Sequence, residues 1–538
     1  MRVLRDTLPA RAVPLALALF GAVWGVLLTR LSLWDGLLLT ALALILLGTL
    51  WEPLVGVGAA LFLGPLQAWL RMELPQVSAL IGQIVFVLTA AIWIGRGLLR
   101  RDVRLPWPPL LLPLLGFMGV ALLSLWQPVD VWAGVMEWGK WGQILVMFLL
   151  VYERLQGAQG RQRVLVVVAL LASVAVFQAL IGLWQFGLGD DLPEHFAIDA
   201  RFYRAYGTFE QPNPYAGFLG LAGALLAGLV AVALWDWMAN GKWQMANGRW
   251  QMANGRWRMA NGRWQMANGK WQMANGESPI TNHQLPITNY QLSITNYRSG
   301  LLLFALVAVT AGLVASWSRG GWMGFAAALF VIAIGLPRRR GWNVLLAVVI
   351  VVGGLGLYTA GWMPATIAAR LTGFLEYARF EDVRGVGIND ANYAVIERMA
   401  HWQAALSMWR ERFWLGVGFG CYEAAYPAHR LVNWPFALGH AHNYYLNLLA
   451  ETGVLGLGAY LALLGSIFVR LWGASRRETG WTRGLALGLV GAWTHFTVHN
   501  LVDNILVNNT HLHLAVLLAL SAWVCGKMDA DLVPVTPG

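Results

Sequence analysis

Apolar runs of spanning length recur along most of this chain, and they restrict its fold more than any other feature. A helix that crosses a bilayer takes about 20 mainly apolar residues. Windows of that kind lie near residues 13–29, 34–50, 54–70, 79–95, 108–126, 134–152, 163–186, 213–235, 300–316, 320–336, 342–360, 444–470, 483–501 and 505–525. That rule gives about 14 spans, of which one or two of the short early ones fit a re-entrant segment. Composition agrees, because only 12% of the 538 residues are charged, whereas a soluble domain carries about 25%. The expected fold is an all-α polytopic membrane protein with about 12–14 transmembrane helices and a large extracytoplasmic loop domain.

The net charge of +11 matters less than its placement. Lys and Arg in short loops mark the cytoplasmic side. With the N-terminus inside, Arg96, Arg100, Arg101 and Arg104 fall inside, as do Arg161 and Arg163, Arg338, Arg339 and Arg340, and Arg470, Arg476 and Arg477. Residues 1–11 are basic and lead into an apolar run with no convincing small-residue cleavage site, so they read as the start of an uncleaved span. The two cysteines, Cys421 and Cys525, fall on opposite sides of the membrane, which argues against a disulfide, and no zinc-type spacing occurs.

Two long breaks interrupt the spans. Residues 236–299 contain two tandem heptad arrays, Met-Ala-Asn-Gly-Arg/Lys-Trp-Gln/Arg from Met238 to Gly276 and then Pro-Ile-Thr-Asn-His-Gln-Leu variants to Arg298. Asn-Gly in every unit of the first array breaks helices, so the heptad is not a coiled coil. This segment is expected to be a dispensable cytoplasmic insertion, its Trp and Arg touching the lipid surface. The second break, residues 361–443, is mixed in composition, and residues 393–409 carry apolar side chains at helical spacing. An amphipathic helix lying over the bundle is expected there, and a loop of that length is more often functional than not. The chain thus divides into N-terminal transmembrane helices (1–200), an extracytoplasmic loop and helix (201–235), the heptad insertion (236–299), further spans (300–360), an extracytoplasmic catalytic loop (361–443) and C-terminal spans (444–538).

The sharpest motif lies where the second break ends. His442-Asn443, nine residues, then Gly453-Val-Leu-Gly456 runs from a polar edge into a long apolar stretch, with His440 just before it. Histidine titrates near neutrality and can accept or donate a proton at such an edge. Asn443 stands where a helix N-cap is needed, and Gly453 and Gly456 fit a packing role. Arg319, Arg398 and His442 all fall outside in the topology above, against the positive-inside tendency. Guanidinium stays charged and forks onto two oxygens, which suits phosphate. Each also has a plainer reading: an edge Arg that snorkels, a solvated face of a loop helix, and a structural His.

These residues resemble those of the O-antigen ligase and O-antigen polymerase superfamily of bacterial envelope glycosyltransferases. The His442 motif fits that family's His-(Asn/Ser/Gln)-x9-Gly-x-x-Gly pattern without a gap. Arg398-Met-Ala-His-Trp402 and Gly416-Val-Gly-Phe-Gly420 look like its Arg-containing loop helix and Gly-rich turn. Ser318-Arg319-Gly-Gly-Trp322 and Pro212-Asn213-Pro-Tyr-Ala216 are similar to segments that precede two of its spans. The likeness covers roughly residues 200–470 around the heptad insertion.

The resemblance implies a GT-C-like glycosyltransferase in the bacterial inner (cytoplasmic) membrane, with its site on the periplasmic face. The donor would be a glycan on undecaprenyl pyrophosphate. The acceptor would be a glycolipid such as lipid A–core in a ligase, or another lipid-linked repeat unit in a polymerase. Arg319 and Arg398 would hold the pyrophosphate and offset its developing charge, and His442 would take the acceptor proton, giving inversion. Trp402, Asn443, Asn213, Arg201 and Arg204 are candidate substrate contacts. No metal or other cofactor is expected, and the partners are the donor, the acceptor and membrane lipids, with no nucleic acid. A transporter or flippase for lipid-linked glycans is the alternative from another class; it would show internal pseudo-repeats, and none is evident. Other ionisable residues read structurally or remain open. Glu137 and Lys140 fit a buried pair or a relay, His495 and His499 with Asp503 fit a weak metal face, and His511 and His513 fit an interface.

Overall fold

The computed structural model describes residues 21–530, apart from 23, 27–28, 74–80, 100, 102–104, 190–191, 200, 247–263, 268–269, 274–288, 363–367, 369–371, 373–381 and 390–391. The N-terminal basic segment, Arg100, Arg104 and most of the heptad arrays lie outside the described residues. The helices run in chain order as α1 (Leu33–Trp51), α2 (Pro53–Leu63), α3 (Gln67–Glu73), α4 (Ile81–Leu99), α5 (Leu111–Leu123), α6 (Val131–Arg154), α7 (Gly160–Gly187), α8 (Pro212–Ala246), α9 (Asn289–Ala315), α10 (Arg319–Gly335), α11 (Arg340–Thr359), α12 (Tyr393–Glu411), α13 (Tyr422–His429), α14 (Tyr444–Arg477), α15 (Gly480–His499) and α16 (Thr510–Ala530). An antiparallel pair, β1 (Trp264–Ala267) and β2 (Lys270–Met273), lies within the repeat, with Ala267 opposite Lys270.

The protein is an all-α polytopic membrane protein. Helices satisfy their own backbone groups, which hydrocarbon cannot do. Among the described residues six helices are long and apolar enough to cross a membrane, and five more apolar helices are shorter. The expected 12–14 spans included helices that carry ionisable residues, such as α6 with Glu137 and Lys140 and α15 with Arg483. The 54–70 window is broken at residues 64–66 between α2 and α3. There Thr208 Oγ1 donates to the Pro65 carbonyl at 2.8 Å, and Asn509 Nδ2 donates to Gln67 Oε1 at 2.6 Å. The break is therefore hydrogen-bonded inside protein.

Helices α8, α10 and α15 form the centre, and small residues set their spacing. Cβ atoms added at Gly228, Gly484 or Gly488 would strike the facing backbone or a neighbouring Leu229 or Leu225, which is how small residues let membrane helices approach. The outer α11 has no buried residue. Helix α8 continues to Ala246 and α9 begins at Asn289, so both extend into the expected 236–299 segment. Helix α8 crosses Asn240-Gly241 because extending a formed helix costs far less than nucleating one.

The bundle has two distinct ends. One gathers the starts of α8, α10 and α14, the C-terminus of α15, and the loop helices α12 and α13. The other gathers Glu52, Arg154 and Arg163 near the starts of α2 and α7, and Arg338, Arg476 and Arg483 where α10 and α14 end. The expected amphipathic helix is α12, which packs on α14. Both cysteines are buried, and no disulfide joins them.

Candidate functional site

The spacing of the His442 motif follows from the shape of α14. Asn443 is its N-cap, and its Oδ1 accepts from the N–H groups of Tyr445 and Leu446, each at 3.0 Å. Three turns on, Gly453 breaks the helix with φ 62° and ψ −166°, a backbone state that favours glycine. The break releases carbonyls and N–H groups that the Gly-rich turn then satisfies. Val417 N donates to the Ala450 carbonyl at 2.9 Å and Gly418 N to the Glu451 carbonyl at 3.0 Å. In return Val454 N donates to Phe413 at 3.1 Å. A Cβ at Gly453 would collide with the Trp414 carbonyl, and one at Gly416 with Ala450 and Glu451. The two glycine motifs thus dock the loop helices onto α14 as one unit.

His442 sits in the turn before that cap, itself with φ 51°. Its backbone N–H donates to His440 Nδ1 at 3.0 Å. The two rings lie 4.5 Å apart between centroids, and His401 of α12 stands 5.4 Å from His442. Neither ring nitrogen of His442 has a hydrogen-bond partner among the described residues, although both are buried. His442 Nδ1 faces Asp503 Oδ1 at 3.9 Å, which is an electrostatic pairing and too long for a hydrogen bond. Asp503 comes from the loop after α15, which is pinned here because Tyr444 N donates to the Asn500 carbonyl at 2.9 Å.

The charges respond to this enclosure. Burial lowers His401 to about 4, helped by His442 and His440. Burial likewise lowers His440 to about 4, with His442 and Arg398 adding and Asp503 opposing. Burial by itself raises the Asp503 carboxyl, but the imidazoles of His442 and His440 and the Arg398 guanidinium outweigh it. They hold Asp503 well below the usual carboxylate range, so it is ionised at neutral pH.

Arg398 reaches the 499–503 segment directly, and the backbone next to Arg319 packs on the same segment. Arg398 donates from Nε to the Val502 carbonyl at 3.2 Å and from Nη1 to Ala394 at 2.7 Å. Arg319 opens α10 behind the N-cap Ser318, whose Oγ accepts from Gly321 N at 3.3 Å. A Cβ at the adjacent Gly320 would lie 2.7 Å from His499 Cδ2 and 2.9 Å from Val502 Cγ2. Helices α10, α12 and α15 therefore converge on one place. His499 is fully buried there, and neither of its ring nitrogens has a hydrogen-bond partner among the described residues.

The remaining sequence candidates sort by position. Trp402, on α12, packs against a cluster that includes Val383, Ile396 and Trp434. Arg204 donates from Nε to the Ser316 carbonyl at 3.1 Å and from Nη2 to Asn213 Oδ1 at 3.3 Å. That pair lies beside the α10 start. Arg201 is exposed, and its backbone N–H donates to Asp199 at 2.8 Å. Asp503 turns toward His442 rather than completing a metal face with His495 and His499. His495 Nε2 lies 3.1 Å from the Gly217 carbonyl. His511 and His513 are buried, not interfacial, and His511 Nε2 lies 3.0 Å from Gln143 Oε1. Lys140 and Glu137 pair at 2.6 Å and are partly exposed.

Sequence reasoning missed Asp503, His401 and His499 as members of this cluster. No local pattern links them to His442, since folding alone brings α12 and the α15 loop together. His440, His442 and Asp503 also place one potential metal-ligand atom each within 4.8 Å of one another. Two imidazoles and a carboxylate suit a borderline divalent ion. The Arg398 charge and the use of His440 Nδ1 by a backbone N–H work against one.

A multi-pass membrane protein with His, Asp and two Arg gathered at one end of its bundle is the class that fold and site define. Residues 304–461 match the family model described as O-Antigen ligase, which supports a place in the O-antigen ligase superfamily. Members of that superfamily are enzymes, either ligases or polymerases. The match includes Arg319, Arg398 and His442, and stops before His499 and Asp503. No curated protein matches the chain.

Proposed function

We propose that this protein is an O-antigen ligase-like glycosyltransferase of the bacterial inner membrane, working at its extracytoplasmic end. It transfers a glycan from undecaprenyl pyrophosphate to an acceptor such as lipid A–core. The observation that carries this reading is that Arg398 bonds the Val502 carbonyl and His442 faces Asp503, while the α10 start that bears Arg319 packs on the same segment through Gly320. Arginines in short loops at the opposite end support the orientation.

The acceptor hydroxyl oxygen attacks the anomeric carbon, and the bond from that carbon to the pyrophosphate oxygen breaks. The proton passes to His442, and the bonding pair leaves on the lipid pyrophosphate. A single displacement of this kind inverts the anomeric centre. His442 is suited to the base role because neither ring nitrogen has a hydrogen-bond partner among the described residues. Asp503 is a positioning residue that orients the imidazole and stabilises its charged form. Arg319 stands in the first turn of α10, where the helix dipole already supplies positive charge. A pyrophosphate group satisfies both, and Arg398 completes the clamp. Trp402, Asn443, Asn213, Arg201 and Arg204 are the proposed outer contacts. The mechanism needs no metal, and transfer is expected to survive exhaustive chelation.

Reconstitution with a lipid-pyrophosphate glycan tests this. Lipid A–core and a second lipid-linked unit are offered as separate acceptors, which distinguishes a ligase from a polymerase by product. Transfer by the wild type and its loss in His442→Ala are expected. Undiminished transfer in His442→Ala sinks the base assignment, and loss of transfer on chelation with recovery on adding a divalent ion sinks the metal-free mechanism.

A further inference from the structure

A cavity of about 260 Å³ opens at the head of α8, lined by His195, Phe196, Arg204, Glu210, Gln211 and Asn213. We propose that it is a hexose-binding subsite for the donor sugar that adjoins the pyrophosphate; this rests on the transferase reading above. Pockets for drug-sized ligands run from about 300 Å³ upward, so this one fits a single ring.

Its chemistry selects a polyhydroxy ring over a phosphate. A sugar presents hydroxyls that both donate and accept, and an apolar ring face. The cavity offers a carboxylate and amide oxygens as acceptors, a guanidinium and amide N–H groups as donors, and the Phe196 ring as an apolar wall. A phosphate site would have no use for Glu210, whose carboxylate repels anions.

Its position fits the sugar next to the leaving group. Arg204 bonds the Ser316 carbonyl, two residues before the Ser318 cap of α10, and Ala205 N donates to the Ala315 carbonyl at 2.9 Å. A Cβ at Gly321 would collide with Ala216 Cβ at 2.6 Å, about one turn along α8 from Asn213. The cavity and Arg319 therefore flank one α8–α10 junction.

The loop is also built to hold its shape. Gln185 Oε1 accepts from Tyr206 N at 3.1 Å and Gly207 N at 2.7 Å, and Gln178 Oε1 accepts from Thr208 N at 3.1 Å. Both glutamines are buried. Glu210 takes a left-handed backbone with φ 61°, uncommon for a residue other than glycine, asparagine or aspartate. A rigid scaffold that fixes the Glu210 backbone at a cavity wall suits sugar recognition.

The test uses the full-length protein in lipid nanodiscs. Glucose, N-acetylglucosamine and inorganic pyrophosphate are titrated separately and followed by saturation-transfer NMR. Glu210→Asn removes the carboxylate from the cavity yet suits the left-handed backbone, so the loop keeps its fold; Asn213→Ala is the second variant, and thermal melting is the control. Saturable binding of a hexose probe is expected, weakened at least tenfold in both variants and unchanged in His442→Ala. Pyrophosphate binding is expected to be unchanged in Glu210→Asn. Absence of saturable sugar binding in the wild type, or sugar binding untouched in both folded variants, overturns the subsite. Loss of pyrophosphate binding in Glu210→Asn overturns it in favour of an anion site. Hexose binding that follows this pattern in a protein without transferase activity keeps the subsite and sinks the transferase reading.

Discussion

Both ends of the bundle are rich in arginine, and they set it against helix ends of opposite polarity. At the basic end the guanidinium donors meet groups of the protein itself. Arg154 grips Glu52 with two bonds of 2.9 and 2.7 Å. Arg338 donates to the Arg476 and Glu478 carbonyls at 2.9 and 2.7 Å. Arg483, 2% exposed, donates to Ser475 and Gly335, each at 3.2 Å. Most of these carbonyls are the last of α10 and α14, where the helix dipole is negative and cations are stabilising. At the site end Arg319 stands at a helix start, where the dipole is positive, and Arg398 shares its neighbourhood with three imidazoles and one carboxylate. Cations at helix ends of negative polarity build structure, while cations gathered at a positive end, Arg398 among them beside its bonds to Val502 and Ala394, make a place that attracts an anion.

Substitutions at the two ends should separate accordingly. The largest effect is expected for His442→Ala, a loss of about 10²- to 10⁴-fold in transfer rate with normal membrane insertion. Next come Arg319→Ala and Arg398→Ala, each weakening lipid-pyrophosphate affinity by roughly 10- to 100-fold, the scale of a lost charged hydrogen bond. Arg338→Ala should leave that affinity unchanged and lower thermal stability instead. Equal effects on affinity at both ends would erase the contrast.

Asp503→Asn should slow transfer by roughly tenfold. The transfer rate should fall while affinity for the lipid-pyrophosphate donor stays unchanged. An equal loss of donor affinity would make Asp503 merely structural.

Stability should depend on pH through the loop helices. His401 and His440 are held neutral in the fold down to about 4, against 6.5 for a free imidazole. Between those values the unfolded chain binds more protons, so stability rises with pH across the window and falls as pH drops from about 6.5 to about 4. Asp503 adds to the loss in acid, since its low folded value stabilises the protein above the ordinary carboxylate range and ceases to do so below it. Melting at stepped pH, with His401→Gln as the flattened control, reads this directly. The smallest effect is expected from deleting residues 247–288. That deletion should leave insertion and transfer intact; an inserted but inactive protein would overturn the reading of the repeat as dispensable.

Much of the fold was legible because its signal is local. Apolar windows marked the helices within a few residues, from α4 and α7 to α14 and α16. The helical spacing of residues 393–409 anticipated α12, and Asn443 read as a cap is one. The break at Gly64 was less visible, since the 54–70 window is mainly apolar and Thr208 and Asn509, far along the chain, help to satisfy it. The persistence of α8 through Asn240-Gly241 also escaped a rule based on single-residue propensity.

The site divides along the same line. Arg319, Arg398 and His442 each stand in a short motif whose backbone needs are written nearby: a cap, a kink, a Gly-rich turn. Their partners Asp503 and His499 carry no such mark. The same holds for Glu210, whose importance lies in a cavity wall and a left-handed backbone.

Sequence by itself determined the solvent, the helices and the three residues proposed for chemistry, because hydrophobic length and helix-end chemistry act over a few turns. Only the tertiary structure decided which charges face one another. Electrostatic partnership depends on distances of a few ångströms between elements that the chain separates, and the meeting of α10, α12 and α15 at Asp503 sets those distances.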